Sequence, residues 1–161
     1  MERRRLRLPG YDYRSVGCYF VTICTAERRR ILARRYDDEL RPTRIGDIVH
    51  QSWREIPDHY RHVCVESFVL MPDHVHGILA IGQTGMRQTQ VGKAPLGTII
   101  GSFKAAATRA ARVECDHFMA LWQRGYHDRI IRTERDYQAL HQYILANPAR
   151  WLTRERRVAG P

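Results

Sequence analysis

The chain has 161 residues, of which 43% are hydrophobic and 27% are charged, and this balance excludes an intrinsically disordered protein. Its length predicts a single domain, residues 1–161, with one hydrophobic core. No run of 18 apolar residues occurs, so we expect no membrane-spanning helix. The formal net charge of +10 predicts a polyanionic partner, with nucleic acid first and an anionic membrane surface second.

Residues 1–14 form a basic arm that precedes the first predicted strand. No apolar segment follows the positive charges of this arm, so a secretory signal peptide is not expected. The four cysteines are scattered without a C-x-x-C pair, which fits a reducing compartment, and they are Cys18, Cys24, Cys64 and Cys115. The sequence therefore predicts a cytoplasmic protein.

The first half of the chain predicts three strands and one helix. Pro72 and Asp73 are turn residues between two of these strands, which predicts a hairpin. In chain order the segments are a strand over Gly17 to Thr25, a basic loop over Glu27 to Arg35, a helix over Thr43 to Ile56, and strands over His62 to Met71 and His74 to Ile81.

The second half begins with a polar, glycine-rich segment, Gly82 to Pro95, which predicts a flexible loop over residues 82–97. An apolar face with helical spacing predicts a helix over Thr98 to Val113, and a strand is predicted over Tyr126 to Arg132. The last helix is predicted to begin with Thr133 as its cap, with Asp136 three residues later, and to end at Asn147 because a residue before proline avoids the helical region.

The predicted element order is β-α-β-β-α-β-α. Its first six elements have the order of the ferredoxin-like split β-α-β arrangement. We therefore predict an α+β fold with an antiparallel sheet of four to five strands and helices on one face. The C-terminal helix, which carries Tyr143, is an addition to that arrangement.

Two histidines lie in the middle of the largely apolar segment FVLMPDHVHGILAI, at the start of the strand predicted over His74 to Ile81. Side chains alternate along a strand, so His74 and His76 project to the same face and can bind one cation. Two ligands leave a metal site incomplete, so a third must come from elsewhere in the fold. The alternative is two histidines that are satisfied separately near a strand end.

Tyr143 and Asn147 lie four residues apart on the last helix, and therefore on one face. An amide oxygen can bind a hard cation, and the tyrosine would then stand beside whatever that cation holds. The alternatives are that Tyr143 belongs to the core and that Asn147 is only the last helical residue. Together with the basic charge, the four residues point to phosphodiester cleavage, which needs a nucleophile and a cation that polarises the phosphate.

Four segments of this sequence resemble the single-tyrosine HUH transposases, most closely the REP-associated tyrosine transposases. The resemblance covers nearly the whole chain, and the second and fourth segments are the most specific. The segments are RLPGYDYRSVGCYFVTICT, VLMPDHVHGIL, LGTIIGSFKAAATRA and LWQRGYHDRIIRTERDYQALHQYILANPARW.

The resemblance implies that His74 and His76 bind a divalent ion, Mg²⁺ or Mn²⁺, and that Tyr143 attacks the scissile phosphate. The products would be a 5′-phosphotyrosine and a free 3′-hydroxyl, and reversal of the step would rejoin strands. Asn147 stands where insertion-sequence relatives carry a glutamine as third metal ligand. Asp73 replaces an asparagine that is common before the first histidine.

The resemblance also implies a partner, single-stranded DNA with a hairpin of the REP palindrome type, and a nucleoid-associated location. Insertion-sequence relatives are dimers and REP-associated members act as monomers, so either a monomer or a homodimer is expected. Lys104 is a candidate DNA contact or a plain surface lysine, and the arm is either a clamp on the DNA or a solvated tail. The candidate DNA contacts of the arm are Arg3, Arg4, Arg5, Arg7, Tyr11 and Arg14.

Three functions remain open from the sequence. The first is a DNA transesterase that cleaves and rejoins strands through Tyr143. The second is a metal-dependent nuclease in which water attacks and the tyrosine is structural. The third is a hairpin-binding protein without catalysis.

Overall fold

A computed structural model describes residues 17–82, 94–114 and 120–159. The predicted basic arm, including all six of its candidate DNA contacts, lies outside the described residues, as does most of the predicted loop 82–97. No helix within the described ranges is long and apolar enough to cross a membrane.

The described residues form six strands and four helices, together with a single 3₁₀ turn at Ala26–Arg28. The strands are β1 Gly17–Cys24, β2 Ala33–Tyr36, β3 Glu39–Pro42, β4 Val63–Leu70, β5 His74–Ile81 and β6 His127–Ile131. The helices are α1 Arg44–Arg54, α2 Ile56–His59, α3 Leu96–Glu114 and α4 Glu134–Ala159.

Four strands form one antiparallel sheet in the order β4-β5-β1-β6. The strand that follows the first crossover, β4, lies at one edge, and the last strand, β6, lies at the other. This is the predicted split β-α-β topology, and the α+β fold class is confirmed. The predicted hairpin across Pro72-Asp73 is present, because β4 and β5 are antiparallel neighbours.

The sheet separates two apolar layers because the side chains of each strand alternate. Tyr19, Val21 and Ile23 of β1 face the larger core, where they pack with buried residues of α1 and α3. The opposite face carries the smaller cluster of Ile78 and Ile131, which Ile144 of α4 covers. The two histidines of β5 lie on this second face, beneath α4.

The predicted basic loop over Glu27 to Arg35 is wrong at its end, because β2 begins at Ala33 and pairs with β3 in a hairpin that was not predicted. The two strands are joined by Asp37 and Asp38, and Asp37 has a left-handed φ of 49°. Hairpin turns of this length usually carry glycine, and none is present here. The hairpin is anchored by Leu32, which is buried and whose N–H donates to the carbonyl of Pro72 at 2.9 Å.

The predicted end of the last helix at Asn147 is also wrong, because α4 continues through Pro148 to Ala159. Proline removes one helical hydrogen bond, but contacts beyond it keep the segment helical. Leu152 is buried, and Glu155 forms two hydrogen bonds of 3.0 Å with the guanidinium of Arg30. Tertiary contacts therefore outweigh the local effect of the proline.

The remaining boundaries differ by a few residues. The helix predicted to begin at Thr98 begins at Leu96, so residues 96–97 belong to α3 and not to the predicted loop. Leu96 is fully buried, which explains why the helix extends to it. The cap predicted for the last helix is confirmed: the backbone N–H of Asp136 donates to Thr133 Oγ1, and Thr133 Oγ1 donates to the Asp136 carboxylate.

Gly77 of the histidine strand β5 packs directly against the ring of Trp53, and no side chain fits there. A Cβ at position 77 would stand 2.3 Å from Cζ2 of Trp53, a side chain that is 1% exposed. We expect Gly77→Ala to lower the free energy of unfolding by about 1–3 kcal/mol, measured by urea denaturation. Gly101→Ala is the matched control, since a Cβ at 101 meets no atom within 4 Å.

Gly101 lies inside α3, so alanine there should stabilise the protein by about 0.5–1 kcal/mol. The two substitutions therefore have opposite expected signs. A Gly77→Ala variant as stable as the unchanged protein would contradict the contact with Trp53.

Candidate functional site

The two histidines of β5 point to the same face of the sheet, as their spacing predicts. The Nε2 atoms of His74 and His76 are 3.2 Å apart, and the ring centroids are 4.7 Å apart. The following residue on that face, Ile78, lies under α4. Both rings therefore direct one nitrogen into the same small space at the end of the strand nearest the Pro72-Asp73 turn.

The outer nitrogen of each ring is held by another side chain. His74 Nδ1 lies 2.6 Å from Asp73 Oδ1, and the other oxygen of this carboxylate forms an ion pair of 3.0 Å with Arg28 Nε. His76 Nδ1 lies 2.7 Å from the hydroxyl of Thr22, on the neighbouring strand β1. A carboxylate accepts only, so neutral His74 carries its proton on Nδ1 and its lone pair on Nε2.

The hydroxyl of Thr22 can donate or accept, so it allows either tautomer of His76. When Thr22 donates to Nδ1 of His76, the proton of His76 lies on Nε2. This Nε2–H then donates to the lone pair on Nε2 of His74, and neither atom is free to bind a cation. When Thr22 accepts, both Nε2 lone pairs are free for a cation. The surroundings thus permit the proton shift that cation binding by both rings requires.

Both imidazoles are held neutral. Burial lowers the pKa of His76 to about 3, and the neighbouring His74 and Arg28 act in the same direction. Burial also lowers the pKa of His74, while the hydrogen bond to Asp73 opposes this shift. Neutral imidazole is the form that binds metal ions.

Tyr143 of α4 lies directly beside the histidine pair. Its ring centroid is 5.4 Å from that of His76, in an edge-to-face arrangement. Phe20 of β1 stacks on His76 with a centroid distance of 5.2 Å and contacts Tyr143 at 6.1 Å. The tyrosine side chain is 38% exposed, so it is accessible to a large ligand.

Two further residues of α4 lie one and two turns beyond the tyrosine. Asn147 is partly buried, and its Nδ2 atom has no hydrogen-bond partner among the described residues. The side-chain amide carries a donor at one end and an acceptor at the other, so a rotation of 180° presents its oxygen at this buried position. Arg150 places its guanidinium carbon 5.9 Å from the centroid of the Tyr143 ring.

The donor set fits a divalent cation in part. The described residues contain no group of three or more His, Cys, Asp or Glu side chains that can hold a metal. The two converging Nε2 atoms nevertheless have the second-sphere support that metal-bound histidines have, a carboxylate and a hydroxyl on the outer nitrogens. A third ligand must therefore be an amide such as that of Asn147, a water, or an oxygen of the substrate.

Lys104 of α3 is engaged with the loop before β6. Its ammonium donates to the carbonyls of Gln123 at 2.7 Å and Gly125 at 2.9 Å. These bonds fix the loop before β6, and burial lowers the pKa of the lysine. A DNA contact at Lys104 stays a prediction. The candidate contacts Arg3, Arg4, Arg5, Arg7, Tyr11 and Arg14 lie outside the described residues.

Four neighbours of the site were not predicted from the sequence, namely Phe20, Thr22, Arg28 and Arg150. The first two lie two residues apart on β1, and alternation would have placed them on one face. Arg150 is seven residues after Tyr143, which is two helical turns, but ending the helix at Asn147 hid this relation. No local signal indicates Arg28, which reaches Asp73 across 45 positions.

Comparison with solved structures shows the fold. The chain aligns with a REP-associated tyrosine transposase bound to a REP hairpin at a TM-score of 0.63, with 19% identity, over 93% of this chain and 73% of that one. It also aligns with a candidate transposase of Deinococcus radiodurans at a TM-score of 0.53, with 19% identity, over 92% of this chain and 99% of that one. The architecture is therefore that of these transposases.

Sequence comparison shows the family. An uncharacterized protein of Haemophilus influenzae is 35% identical over 163 residues, which is 93% of this chain and 90% of that protein, and this chain belongs to its family. A second protein of Haemophilus influenzae, named as a candidate REP-associated tyrosine transposase, is 23% identical over 86% of this chain and 74% of its own. The resemblance to the REP-associated tyrosine transposases is thus confirmed. No family model matches the chain.

Proposed function

We propose that this protein is a transposase-like enzyme that binds hairpins in single-stranded DNA, cleaves the strand through Tyr143 and can rejoin it. The observation that carries the proposal is the convergence of two neutral imidazoles beside an accessible tyrosine, with ring centroids 5.4 Å apart for His76 and Tyr143. Core packing alone does not explain two Nε2 atoms that face each other at 3.2 Å with both outer nitrogens held.

In the proposed reaction the phenolic oxygen of Tyr143 attacks the scissile phosphorus, and the bond to the 3′-oxygen breaks. The 3′-oxygen leaves as a hydroxyl after taking up a proton, and the 5′-phosphate stays on the tyrosine. The ester conserves the energy of the broken bond, so attack by a 3′-hydroxyl restores a phosphodiester and frees the phenol. No external energy source is needed for this exchange.

His74, His76 and the amide of Asn147 are the residues proposed to hold Mg²⁺ or Mn²⁺. When bound, such an ion polarises a nonbridging phosphate oxygen. Phenols ionise only near pH 10, so a neutral-pH reaction also needs positive charge near the nucleophile. Arg150 supplies it, because its guanidinium lies over the Tyr143 ring and can contact the same phosphate.

Three observations support a DNA hairpin as the substrate. The chain has a net charge of +10, which favours a phosphate backbone. The transposase of the same fold with the TM-score of 0.63 is bound to a REP hairpin. The basic arm, residues 1–14, supplies arginines for phosphates and a tyrosine for stacking.

One chain brings the proposed nucleophile and the histidine pair together. Tyr143 and His76 contact each other within a single chain, and the C-terminal half of α4 is tied to its own chain through Glu155 and Arg30. We therefore propose that a monomer is sufficient for cleavage, and that a homodimer is not required. An enzyme of this kind would act in the cytoplasm, at the nucleoid.

A gel assay tests the proposal. The protein is incubated with 5′- and 3′-labelled single-stranded hairpin DNA and Mg²⁺, and the products are separated under denaturing conditions. A covalent protein–DNA adduct that retains the 5′-phosphate side of the break supports the transesterase. Cleavage without an adduct would identify a nuclease that uses water, and binding without any product would identify a non-catalytic hairpin-binding protein.

Asp73 is proposed to support cation binding through His74, and this gives a graded prediction. Asp73→Ala removes the acceptor for His74 Nδ1 and the partner of Arg28, so the dissociation constant for Mn²⁺ should rise about 10–100-fold. Asp73→Asn keeps an acceptor oxygen, so the dissociation constant for Mn²⁺ should rise less than in Asp73→Ala. Electron paramagnetic resonance titration of Mn²⁺ measures both.

Asp58→Ala is the matched control, because Asp58 is an exposed carboxylate on α2. It should leave the Mn²⁺ affinity unchanged. Equal affinities for the unchanged protein and Asp73→Ala would remove Asp73 from the proposed site.

A further inference from the structure

The edge strand β4 contains an irregularity that lies under α4. Its pairing with β5 runs from Val63 to Val65, opposite Ile81 to Leu79, and resumes with Phe68 opposite Gly77. Two residues, Glu66 and Ser67, therefore stand opposite the single residue Ile78, which is a β-bulge. Bulges redirect side chains, and here they turn both residues towards α4.

Both bulge residues contact α4 one turn apart. The hydroxyl of Ser67 and Nδ1 of His141 are 2.5 Å apart, and the hydroxyl of Tyr137 donates to Glu66 Oε2 at 3.3 Å. The rings of Tyr137 and His141 lie nearly parallel, at 8°, with centroids 6.0 Å apart. Ser67 is 8% exposed and His141 is partly buried, so the Ser67 side of this contact is shielded from water.

These contacts lie on the opposite flank of the helix from Tyr143. Successive helical residues are about 100° apart, so His141 and Tyr143 are separated by about 200° around the axis of α4. Ile144, which is 1% exposed, faces the sheet between them. Rotation of the helix that breaks the Ser67–His141 bond therefore also displaces the Tyr143 ring from His76.

We propose that Ser67 and His141 are positioning residues that fix the rotation of α4 and so hold the phenol of Tyr143 against the histidine pair. The proposal rests on the proposed function, in which Tyr143 is the nucleophile. Neither residue forms a hydrogen bond with Tyr143, His74 or His76 in the described part of the chain. The hydrogen bond from Tyr137 to Glu66, which is exposed to water, reinforces the bond between Ser67 and His141.

A hydrogen bond fixes the rotation of α4 more exactly than apolar packing does. The hydrophobic effect is non-directional, so the contacts of Ile144 favour burial of that side chain without requiring one exact rotation of the helix. A hydrogen bond between the hydroxyl of Ser67 and the ring nitrogen of His141 is directional, and breaking it leaves the buried hydroxyl of Ser67 without its partner. The bulge is what brings the hydroxyl to the ring, because neighbouring side chains of a regular strand point to opposite faces, and only one of Glu66 and Ser67 would then face α4.

The test is the rate constant for adduct formation in a single turnover at saturating hairpin DNA and Mn²⁺. Ser67→Ala should lower this rate constant about 10-fold, and the dissociation constants for DNA and Mn²⁺ should stay unchanged. Ser67→Thr keeps the hydroxyl and should restore the rate. Ser67→Ala combined with His141→Leu, which fills the space with an apolar chain, should remain slow.

The matched control is Ser52→Ala. Ser52 is also 8% exposed, but it lies on α1, on the other side of the sheet from α4. It should leave the rate constant unchanged. A rate constant for Ser67→Ala equal to that of the unchanged protein, or an equal loss in Ser52→Ala, would overturn the proposal.

A second readout needs neither DNA nor metal. With 3-fluorotyrosine at position 143, the ¹⁹F resonance of the free protein reports on the ring's contacts with His76 and Phe20. We expect Ser67→Ala to shift this resonance, Ser67→Thr to restore it and Ser52→Ala to leave it in place. An unshifted resonance in Ser67→Ala would overturn the positioning role. If the unchanged protein forms no adduct, the proposed function fails, and this resonance still decides the positioning role.

Discussion

Replacement of Tyr143 by phenylalanine is expected to reduce formation of the covalent protein–DNA adduct by at least about 1,000-fold, because the substitution removes the attacking oxygen and nothing else. The phenylalanine ring keeps the packing against His76 and Phe20, whose centroids lie 5.4 and 6.1 Å away. The melting temperature and the affinities for hairpin DNA and Mn²⁺ should therefore stay as they are. Denaturing gels of labelled DNA measure the adduct.

Tyr36→Phe is the matched control for this substitution. Tyr36 is 57% exposed on the β2–β3 hairpin, and its ring packs under the guanidinium of Arg41. Loss of its hydroxyl should leave adduct formation at the level of the unchanged protein. If Tyr143→Phe still cleaves hairpin DNA at the normal rate, water is the nucleophile and the transesterase mechanism is wrong.

Replacement of His76 by alanine should produce the second large effect. His76 is 6% exposed, and its Nε2 faces that of His74 at 3.2 Å, so its removal takes away half of the converging pair. We expect the dissociation constant for Mn²⁺ to rise by more than about 100-fold, beyond the loss expected for an outer partner such as Asp73. Adduct formation should fall with it, while binding of hairpin DNA, which depends on the basic surface, should persist.

His59→Ala controls for the general loss of an imidazole, because His59 is exposed on α2. Calorimetry separates a metal effect from unfolding, since His76→Ala also leaves the Thr22 hydroxyl without its partner. A His76→Ala variant that is folded and binds Mn²⁺ as tightly as the unchanged protein would exclude the histidine pair as the metal site.

The parts of the site that lie on one element could be predicted from the sequence. Alternation along β5 places His74 and His76 on one face, and helical spacing places Tyr143 and Asn147 on one face of α4. These relations depend only on the repeat of a strand or a helix. That the strand and the helix face each other followed from the family resemblance and not from spacing.

The parts that depend on distant contacts could not be predicted. Local preference ends a helix before Pro148, whereas contacts of Leu152 and Glu155 with the rest of the chain continue it. The same error hid Arg150, because its place on the Tyr143 face exists only if the helix continues.

The bulge in β4 was hidden for a related reason. Its sequence, VESF, gives no sign that Glu66 and Ser67 share one place opposite Ile78. The bulge exists because two strands and a helix meet there, and Ser67 contacts a histidine 74 positions away. Sequence periodicity describes each element alone, so the orientation of α4 over the sheet became visible only in three dimensions.

Asp73 gains its role only in three dimensions, because spacing along the sequence gives it none. In the structure its carboxylate bridges His74 and Arg28, at 2.6 and 3.0 Å. Asp73 is therefore a charged partner of the first histidine, and Arg28 balances that charge.

In the proposed mechanism, a cation held by the two imidazoles lies next to the phenol that attacks the DNA. A crystal structure with Mn²⁺ and a single-stranded hairpin, with the metal located by its anomalous scattering, tests this most directly. We predict an anomalous peak in contact with Nε2 of His74 and of His76, with the hydroxyl of Tyr143 and a DNA phosphate both directed at it. An anomalous peak elsewhere in the chain, or a scissile phosphate bound away from Tyr143, would contradict the account.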